Sequence, residues 1–101
     1  MNKFFNDFED YCKTPGIDSG KARSYSKAIQ YLCDFLGERS IDEDVVIKMR
    51  STETYLSLSD SQLYKDLLGF LEKRGQSSYL INGFIKAALP YLYDFWDNKH
   101  R

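Results

Sequence analysis

The sequence predicts an all-α fold, a compact bundle of about five helices. Apolar residues recur every three or four positions through most of the chain, and no stretch alternates apolar and polar residues as a half-buried strand requires. Turn-forming residues divide the chain into segments of helical length, at Thr14-Pro15-Gly16 and at the glycines 37 and 75. Aromatic residues make up 16% of the 101 residues, and their large rings allow a small core to bury enough apolar surface to fold.

Each helix is predicted from an apolar stripe and its flanking residues. The first covers residues 4–12, and the second begins at Asp18 or Ser19 and ends at Gly37. Capping boxes at residues 40–43 and 59–62 predict the starts of the third and fourth helices, with a loop over residues 52–58 between them. The last helix runs from Ser77 to Trp96 with Pro90 inside it. The predicted core comprises Phe8, Leu32, Phe35, Leu67, Phe84, Ala88 and Leu92.

Length and cysteine usage favour one cytoplasmic domain. The chain length suits a single helical domain over residues 1–101, which is either a whole gene product or a piece of a larger protein. Cys12 and Cys33 lie on apolar helical faces, as is typical of buried free thiols in a reducing compartment. No apolar run has the length of a membrane span, and acidic residues interrupt the N-terminal segment where a signal peptide needs an apolar stretch.

The residues required for catalysis or metal binding are missing from the sequence. The only histidine is His100, next to the C-terminal residue, and no Cys/His cluster has metal-ligand spacing. Neither cysteine has a nearby histidine to activate it, and no glycine-rich phosphate loop is present. We therefore predict a binding protein that is not an enzyme and that holds no metal or cofactor.

Basic residues are distributed unevenly although the net charge is only −1. Two stretches, residues 19–32 and 73–93, each contain three bases and no acid, and each lies at the start of a long predicted helix. Hydroxyl and amide side chains accompany these bases, and such groups beside a helix start are well suited to contact phosphate. The bases are Lys21, Arg23 and Lys27 in the first stretch, and Lys73, Arg74 and Lys86 in the second; the small donors are Ser19, Ser24, Ser26, Gln76, Ser77, Ser78 and Asn82.

Two segments of the chain resemble each other. Residues 28–36 read AIQYLCDFL and residues 88–96 read ALPYLYDFW, so five of nine positions coincide. Two explanations are open. The similarity arises by chance between two amphipathic helices, or the chain contains two similar helical hairpins packed against each other.

Several motifs together resemble a known family. A Phe8-x-x-Tyr11 helix precedes the pattern Tyr-x-x-x-Ile-x-x-Leu-x-x-Phe-Leu at residues 25–36, and Leu-x-x-Leu-x-x-Arg-Gly-x-Ser follows at residues 68–77. A final helix ends in an aromatic cluster. This order resembles the N-terminal core-binding domain of tyrosine recombinases and phage integrases, a SAM-like helical bundle, and is similar to helical segments that precede the nuclease in some HNH-type endonucleases.

The resemblance implies a module that forms half of a clamp around duplex DNA and whose catalytic residues belong to a separate domain in cis. The low net charge and Pro90 depart from the family pattern. By position, the resemblance places DNA contacts on two long helices. We add Lys73 and Arg74, the two bases at the start of the second basic stretch. The predicted DNA-binding residues are Lys21, Arg23, Ser24, Lys27, Lys73, Arg74, Ser77, Ser78, Asn82 and Lys86.

The alternative interpretation is a protein-interaction module. So small a core cannot fully bury every aromatic residue of the chain, and exposed aromatic side chains favour protein partners. The residues on which this alternative depends are Tyr31, Tyr91, Tyr93 and Trp96.

Overall fold

The computed structural model describes residues 3–99, which form helices connected by short turns and contain no strand. The all-α prediction is therefore confirmed. There are six α-helices in this part of the chain, consistent with about five, and the additional helix arises because the last predicted helix is broken. The helices are α1 (Lys3–Lys13), α2 (Ser19–Leu36), α3 (Glu43–Glu53), α4 (Gln62–Glu72), α5 (Ser78–Ile81) and α6 (Phe84–Lys99), and a 3-10 helix (Thr54–Ser57) follows α3.

The ends of α2 form as the sequence predicts. The Asp18 carboxylate accepts a hydrogen bond from the backbone N–H of Lys21 at 2.9 Å and so caps the first turn. At the other end Gly37 has φ +75°, and the N–H groups of Gly37 and Glu38 bond to the carbonyls of Asp34 and Cys33. Glycine adopts this left-handed conformation without the steric cost that a side chain would bring.

The helix starts predicted at residues 40 and 59 are wrong by two positions. Asp42 caps α3, since its side chain accepts from the N–H of Val45 at 2.9 Å, and Ser61 caps α4 by accepting from the N–H of Tyr64 at 3.1 Å. Each four-residue box contains more than one possible cap, and the structure uses the last one. Before α3 the reason is burial, because Ile41 packs into the core ahead of the first helical turn.

The segment predicted as a loop, residues 52–58, is mostly helical. α3 continues to Glu53, and the 3-10 helix follows without a break. Thr52 is buried, and its hydroxyl donates to the carbonyl of Lys48 at 2.8 Å, which satisfies the polar group within the helix itself. Leu56 is also buried, so tertiary packing outweighs the weak helical preference of this Ser- and Thr-rich segment.

The long helix predicted over residues 77–96 is divided in two. Gly83 has φ +79° and ends the short α5, after which α6 begins at Phe84. Ile81 fits the apolar stripe of a single helix over residues 77–96 but is 61% exposed, because the break changes the direction of the chain. Pro90 lies inside α6, as predicted.

Helix α2 lies at the centre of the bundle and packs most extensively against α6 and α1. Its buried Ser26 donates to the carbonyl of Phe5 on α1 at 3.1 Å and accepts from the side chain of Gln30 at 3.3 Å. Hydrogen bonding offsets the cost of burying this hydroxyl and fixes the position of α1 along α2.

Five of the seven predicted core residues are fully buried. Phe35 and Phe84 are only half-buried, because each packs its ring against aromatic neighbours at the edge of the core. Burial of both cysteines as free thiols is confirmed. The predicted core residues that are fully buried are Phe8, Leu32, Leu67, Ala88 and Leu92.

The two similar segments occupy similar environments, at the C-terminal parts of α2 and α6. Their alanines and leucines are fully buried at equivalent positions, and their aspartates are exposed. The hairpins are nevertheless unequal, because α2 follows an 11-residue helix whereas α6 follows the four-residue α5. The matched pairs are Ala28 and Ala88, Leu32 and Leu92, and Asp34 and Asp94.

Phe8→Ala should destabilise the fold far more than Phe35→Ala. Phe8 is 0% exposed, so its truncation removes buried area and leaves a cavity, at a cost of about 3–5 kcal/mol in the free energy of unfolding. Phe35 is half-buried, and its loss should cost about 1–2 kcal/mol. Denaturant titration followed by circular dichroism measures both. Equal costs for the two variants would show that the core is not centred as described.

Cys12 and Cys33 should resist thiol reagents in the folded protein. Burial raises the pKa of each thiol from 9.0 to about 12, so little reactive thiolate exists at pH 8. Labelling at pH 8 should be about 100-fold slower in the folded protein than in guanidinium, where both thiols are exposed. Stability should also fall between pH 9 and about 12, because only the unfolded state loses these protons there. Rapid labelling of either native thiol would contradict this burial.

Candidate nucleic-acid interface

The predicted bases of α2 lie on its first half and are exposed. Arg23 and Lys27 are four residues apart, so their side chains occupy the same outward face of the helix. Lys21 lies one turn from the helix start, and Ser24 is half-buried between the outward face and the bundle. The helix therefore presents two neighbouring bases on one face and a third near its N-terminus.

Two hydrogen-bond donors near the start of α2, the N–H of Lys21 and the hydroxyl of Ser26, are already bonded within the protein. The Asp18 carboxylate occupies an N–H group of the first turn and places a negative charge where a phosphate was expected. Ser26 is buried against α1 and is no longer available to a ligand. Any phosphate contact at this end of α2 must therefore use the basic side chains rather than the helix terminus.

The DNA-binding residues predicted in the second basic stretch are divided among three helices, α4, α5 and, for Lys86, α6. Lys73 and Arg74 follow the end of α4, Ser77 and Ser78 lie at the start of α5, and Asn82 lies at its end. A long helix start was expected at residues 77–82, but α5 has only four residues, so its dipole is too short to attract an anion strongly.

Aromatic contacts bring α5 against the side of α2 that includes Lys27. Tyr31 lies one turn beyond Lys27, and its ring packs on Tyr79 of α5 with centroids 5.1 Å apart. Tyr79 also contacts Phe84 of α6 at 5.8 Å, and Phe84 packs on the buried Tyr25 of α2 at 6.3 Å. The structure thus places Tyr79 of α5 against the turn of α2 that follows Lys27.

Lys86 lies away from the other predicted bases. It is two residues from Phe84 and therefore points away from the side of α6 that packs on α2. It shares its side with Tyr93, whose hydroxyl donates to Glu53 of α3 at 2.6 Å. Arg50 lies 4.0 Å above the Tyr93 ring. Lys86 therefore lies on a different side of α6 from the residues that contact the α2 helix.

Lys73 and Arg74 lie beside the C-terminal end of α2. The rings of Phe35 on α2 and Phe70 on α4 meet edge to face with centroids 5.5 Å apart, which fixes the two helices together. The Arg74 guanidinium stacks 3.7 Å from the Phe70 centroid, and its Nη1 donates to the Phe70 carbonyl at 3.4 Å. These contacts restrict the guanidinium to the surface between α2 and α4.

Sequence reasoning missed Lys65, which lines the same surface. A depression of about 530 Å³ lies there, and α4 supplies most of its lining. Lys65, Gly69 and Lys73 follow at intervals of four residues and therefore share one side of the helix. That spacing was the signal that could have identified Lys65. The lining residues are Phe35, Lys65, Asp66, Gly69, Phe70, Lys73 and Arg74.

Gly69 lies in the middle of α4 without a packing reason. A Cβ atom at this position would meet nothing within 4 Å, so no neighbour requires a glycine. Glycine inside a helix costs about 0.5–1 kcal/mol relative to alanine. Gly69 therefore lowers the stability of α4 slightly and leaves open space on the helix between Lys65 and Lys73.

Ion pairing separates the bases of α1 and α3 from the predicted interface bases. Four bases form ion pairs with acids in the described part of the chain, and none of these four belongs to the predicted interface. The six predicted interface bases and Lys65 form no ion pair within residues 3–99, so acids of this segment do not neutralise them. The paired bases are Lys3 with Asp7, Lys13 with Glu9 and Asp10, Lys48 with Glu38, and Arg50 with Asp97.

As predicted, the four aromatic residues on which the protein-interaction interpretation depends are not fully buried. Each is half-buried against the core, through ring contacts or, for Tyr93, a hydrogen bond to Glu53. Other apolar side chains are exposed, and three of them lie between the middle of α3 and the residue after the 3-10 helix. The half-buried residues are Tyr31, Tyr91, Tyr93 and Trp96; the exposed ones are Ile47, Tyr55 and Leu58 in that segment, and Ile81 on α5.

Comparison with models of known protein families, with curated proteins and with solved structures finds no match to this chain. Within residues 3–99, no three or more His, Cys, Asp or Glu side chains cluster to hold a metal ion. His100 lies outside the described residues. In the same range, no helix is both long and apolar enough to cross a membrane.

Gly69→Ala should stabilise the protein by about 0.5–1 kcal/mol, because it removes glycine's flexibility from a helix interior that has space for a methyl group. Gly37→Ala is the control, since its φ of +75° strains any L residue by about 1–2 kcal/mol. Thermal unfolding of the two variants should shift the midpoint in opposite directions. A destabilising Gly69→Ala would show that Gly69 has a structural role.

Proposed function

We propose that this chain is a non-catalytic helical DNA-binding module. The observation that supports the proposal is the contrast in ion pairing. The bases at the start of α2 and at the end of α4 have no acidic partner in the described chain, whereas the bases on α1 and α3 do. A cation already paired with a carboxylate gains little by meeting a phosphate, but an unpaired one releases counterions from DNA when it binds.

The contacts that we propose are with the phosphate backbone of duplex DNA. Basic side chains supply charge, and the neighbouring hydroxyl and amide groups supply neutral hydrogen bonds. With a net charge of −1 the rest of the chain adds no general attraction, so binding by the module alone is weak and depends strongly on salt. The proposed neutral donors are Ser24, Ser77, Ser78 and Asn82.

The resemblance to recombinase core-binding domains extends this proposal. In a full-length protein of that kind a catalytic domain in cis would bind the same DNA and raise the effective concentration of this module at its site. We propose that the chain itself supplies positioning and no catalytic group, cofactor or metal ligand. The buried free thiols agree with the cytoplasmic location that such a role requires.

Protein interaction is the second candidate function, and one observation favours it. Ile47, Tyr55 and Leu58 are 55%, 45% and 49% exposed, on α3, on the 3-10 helix and directly after it. Exposed large apolar side chains are a feature of protein-binding surfaces. This candidate predicts a partner held by apolar contacts, with little response to salt.

Charge removal tests the DNA proposal. The triple variant Lys21→Gln, Arg23→Gln and Lys27→Gln should bind duplex DNA about tenfold or more weakly at about 0.1 M salt. Its slope of log affinity against log salt should be shallower by about 2.7, because three phosphate contacts are lost. Fluorescence anisotropy with a labelled short duplex measures both quantities.

The matched control removes the same charge from paired bases, as Lys13→Gln, Lys48→Gln and Arg50→Gln. It should bind nearly as well as the unmodified chain, and circular dichroism should show that both triple variants are folded. An equal loss of affinity in the two variants would mean that only net charge matters. No duplex binding by the unmodified chain at about 50 mM salt would refute the proposal.

A further inference from the structure

The depression between α4 and the end of α2 combines positive charge with open space. Three bases and one acid line it, which leaves an excess of two positive charges, 3 − 1 = 2. Two phenyl rings close one side, and Gly69 leaves the part of the helix between the lysines without a side chain. A second depression, at the ends of α1 and α6, is lined by a single base, Lys99.

The spacing of the two lysines allows both to reach one ligand. Lys65 and Lys73 are separated by two helical turns, about 12 Å along the axis, with Gly69 midway between them. Lysine has a flexible four-carbon chain that ends in a compact ammonium group. The two side chains can therefore converge from opposite directions on an anion lying over Gly69, where a larger residue would occupy the space.

The third base is already held in place. The Arg74 guanidinium is stacked on Phe70 and bonded to its carbonyl, so less of its conformational freedom remains to be lost on binding. The one acid in the lining, Asp66, accepts a hydrogen bond from the Gln62 side chain at 2.7 Å. None of the three bases forms an ion pair with that acid or with any other in residues 3–99.

We propose that this depression binds phosphate, seated over Gly69 between Lys65 and Lys73 with Arg74 at its edge. A charge excess of two matches a phosphate dianion or two adjacent phosphodiesters better than a single carboxylate. The phosphate belongs either to the DNA backbone or to a free phosphorylated molecule; the first case rests on the function proposed above. Lys65 is the binding residue that this inference adds.

Two variants test the site on the full chain. Gly69→Leu fills the space with an apolar side chain and leaves the charge unchanged, and it should not lower the melting temperature because leucine favours the helix. Lys65→Gln with Lys73→Gln removes two charges and keeps the space open. The control for charge is Lys13→Gln with Lys48→Gln, which removes two paired bases elsewhere.

The probes are inorganic pyrophosphate and a short DNA duplex, each measured by calorimetry or anisotropy with all four proteins. We expect the site variants to weaken binding of at least one probe by about tenfold, while the control does not change it. Loss of pyrophosphate binding assigns a free phosphorylated ligand, and loss of duplex binding alone assigns the DNA backbone.

The result that overturns the inference is distinct from the result that overturns DNA binding. If the unmodified chain binds the duplex and both site variants bind it equally well, with no pyrophosphate binding, the phosphate site is refuted and the DNA proposal stands. If pyrophosphate binds in a Gly69-dependent manner and the duplex does not bind, the site stands and the DNA proposal fails. Binding of neither probe refutes the site.

Discussion

The central position of α2 determines where any ligand can meet this protein. Helices α1, α5 and α6 pack around it, and contacts from Ser26, Tyr31 and Tyr25 fix each of them in turn. The Phe35–Phe70 contact adds α4 at the C-terminal end. The exposed residues of α2 lie in its first turn, which includes Lys21, and on the outward face that carries Arg23, Lys27 and Asp34. The bases of α2 are therefore exposed because they lie outside the faces that assemble the bundle.

Much of this arrangement could be predicted from local signals in the chain. The helical periodicity, the Asp18 cap and the terminating Gly37 depend on neighbouring residues alone, and the structure confirms them. The division of the last helix could not be predicted in this way. An isolated glycine inside a helical pattern is usually tolerated, and only tertiary packing selects the left-handed conformation of Gly83. The helical form of residues 52–58 likewise depends on burial of Leu56 by distant parts of the chain.

The candidate site, too, could be predicted only in part from local signals in the sequence. Basic stretches are visible in the sequence, but their grouping depends on which side of each helix faces the core. Lys86 was grouped with Lys73 and Arg74 because a single long helix was expected, and it instead shares a side of α6 with Tyr93. Lys65 was overlooked because it lies outside the acid-free stretches, although α4 brings it into line with Lys73. Ion pairing, which distinguishes Lys48 from Lys27, could not be predicted from the sequence either.

The most direct test of the account is to map the amides that respond when a short DNA duplex is titrated into the isotopically labelled chain. Nuclear magnetic resonance should show shifts concentrated in residues 21–28 of α2, and in residues 65–78 from α4 to the start of α5. The amides around Ile47, Tyr55 and Leu58 should stay unchanged. Shifts concentrated at those three residues, or no shifts at low salt, would contradict the proposal that this bundle binds DNA through its unpaired bases.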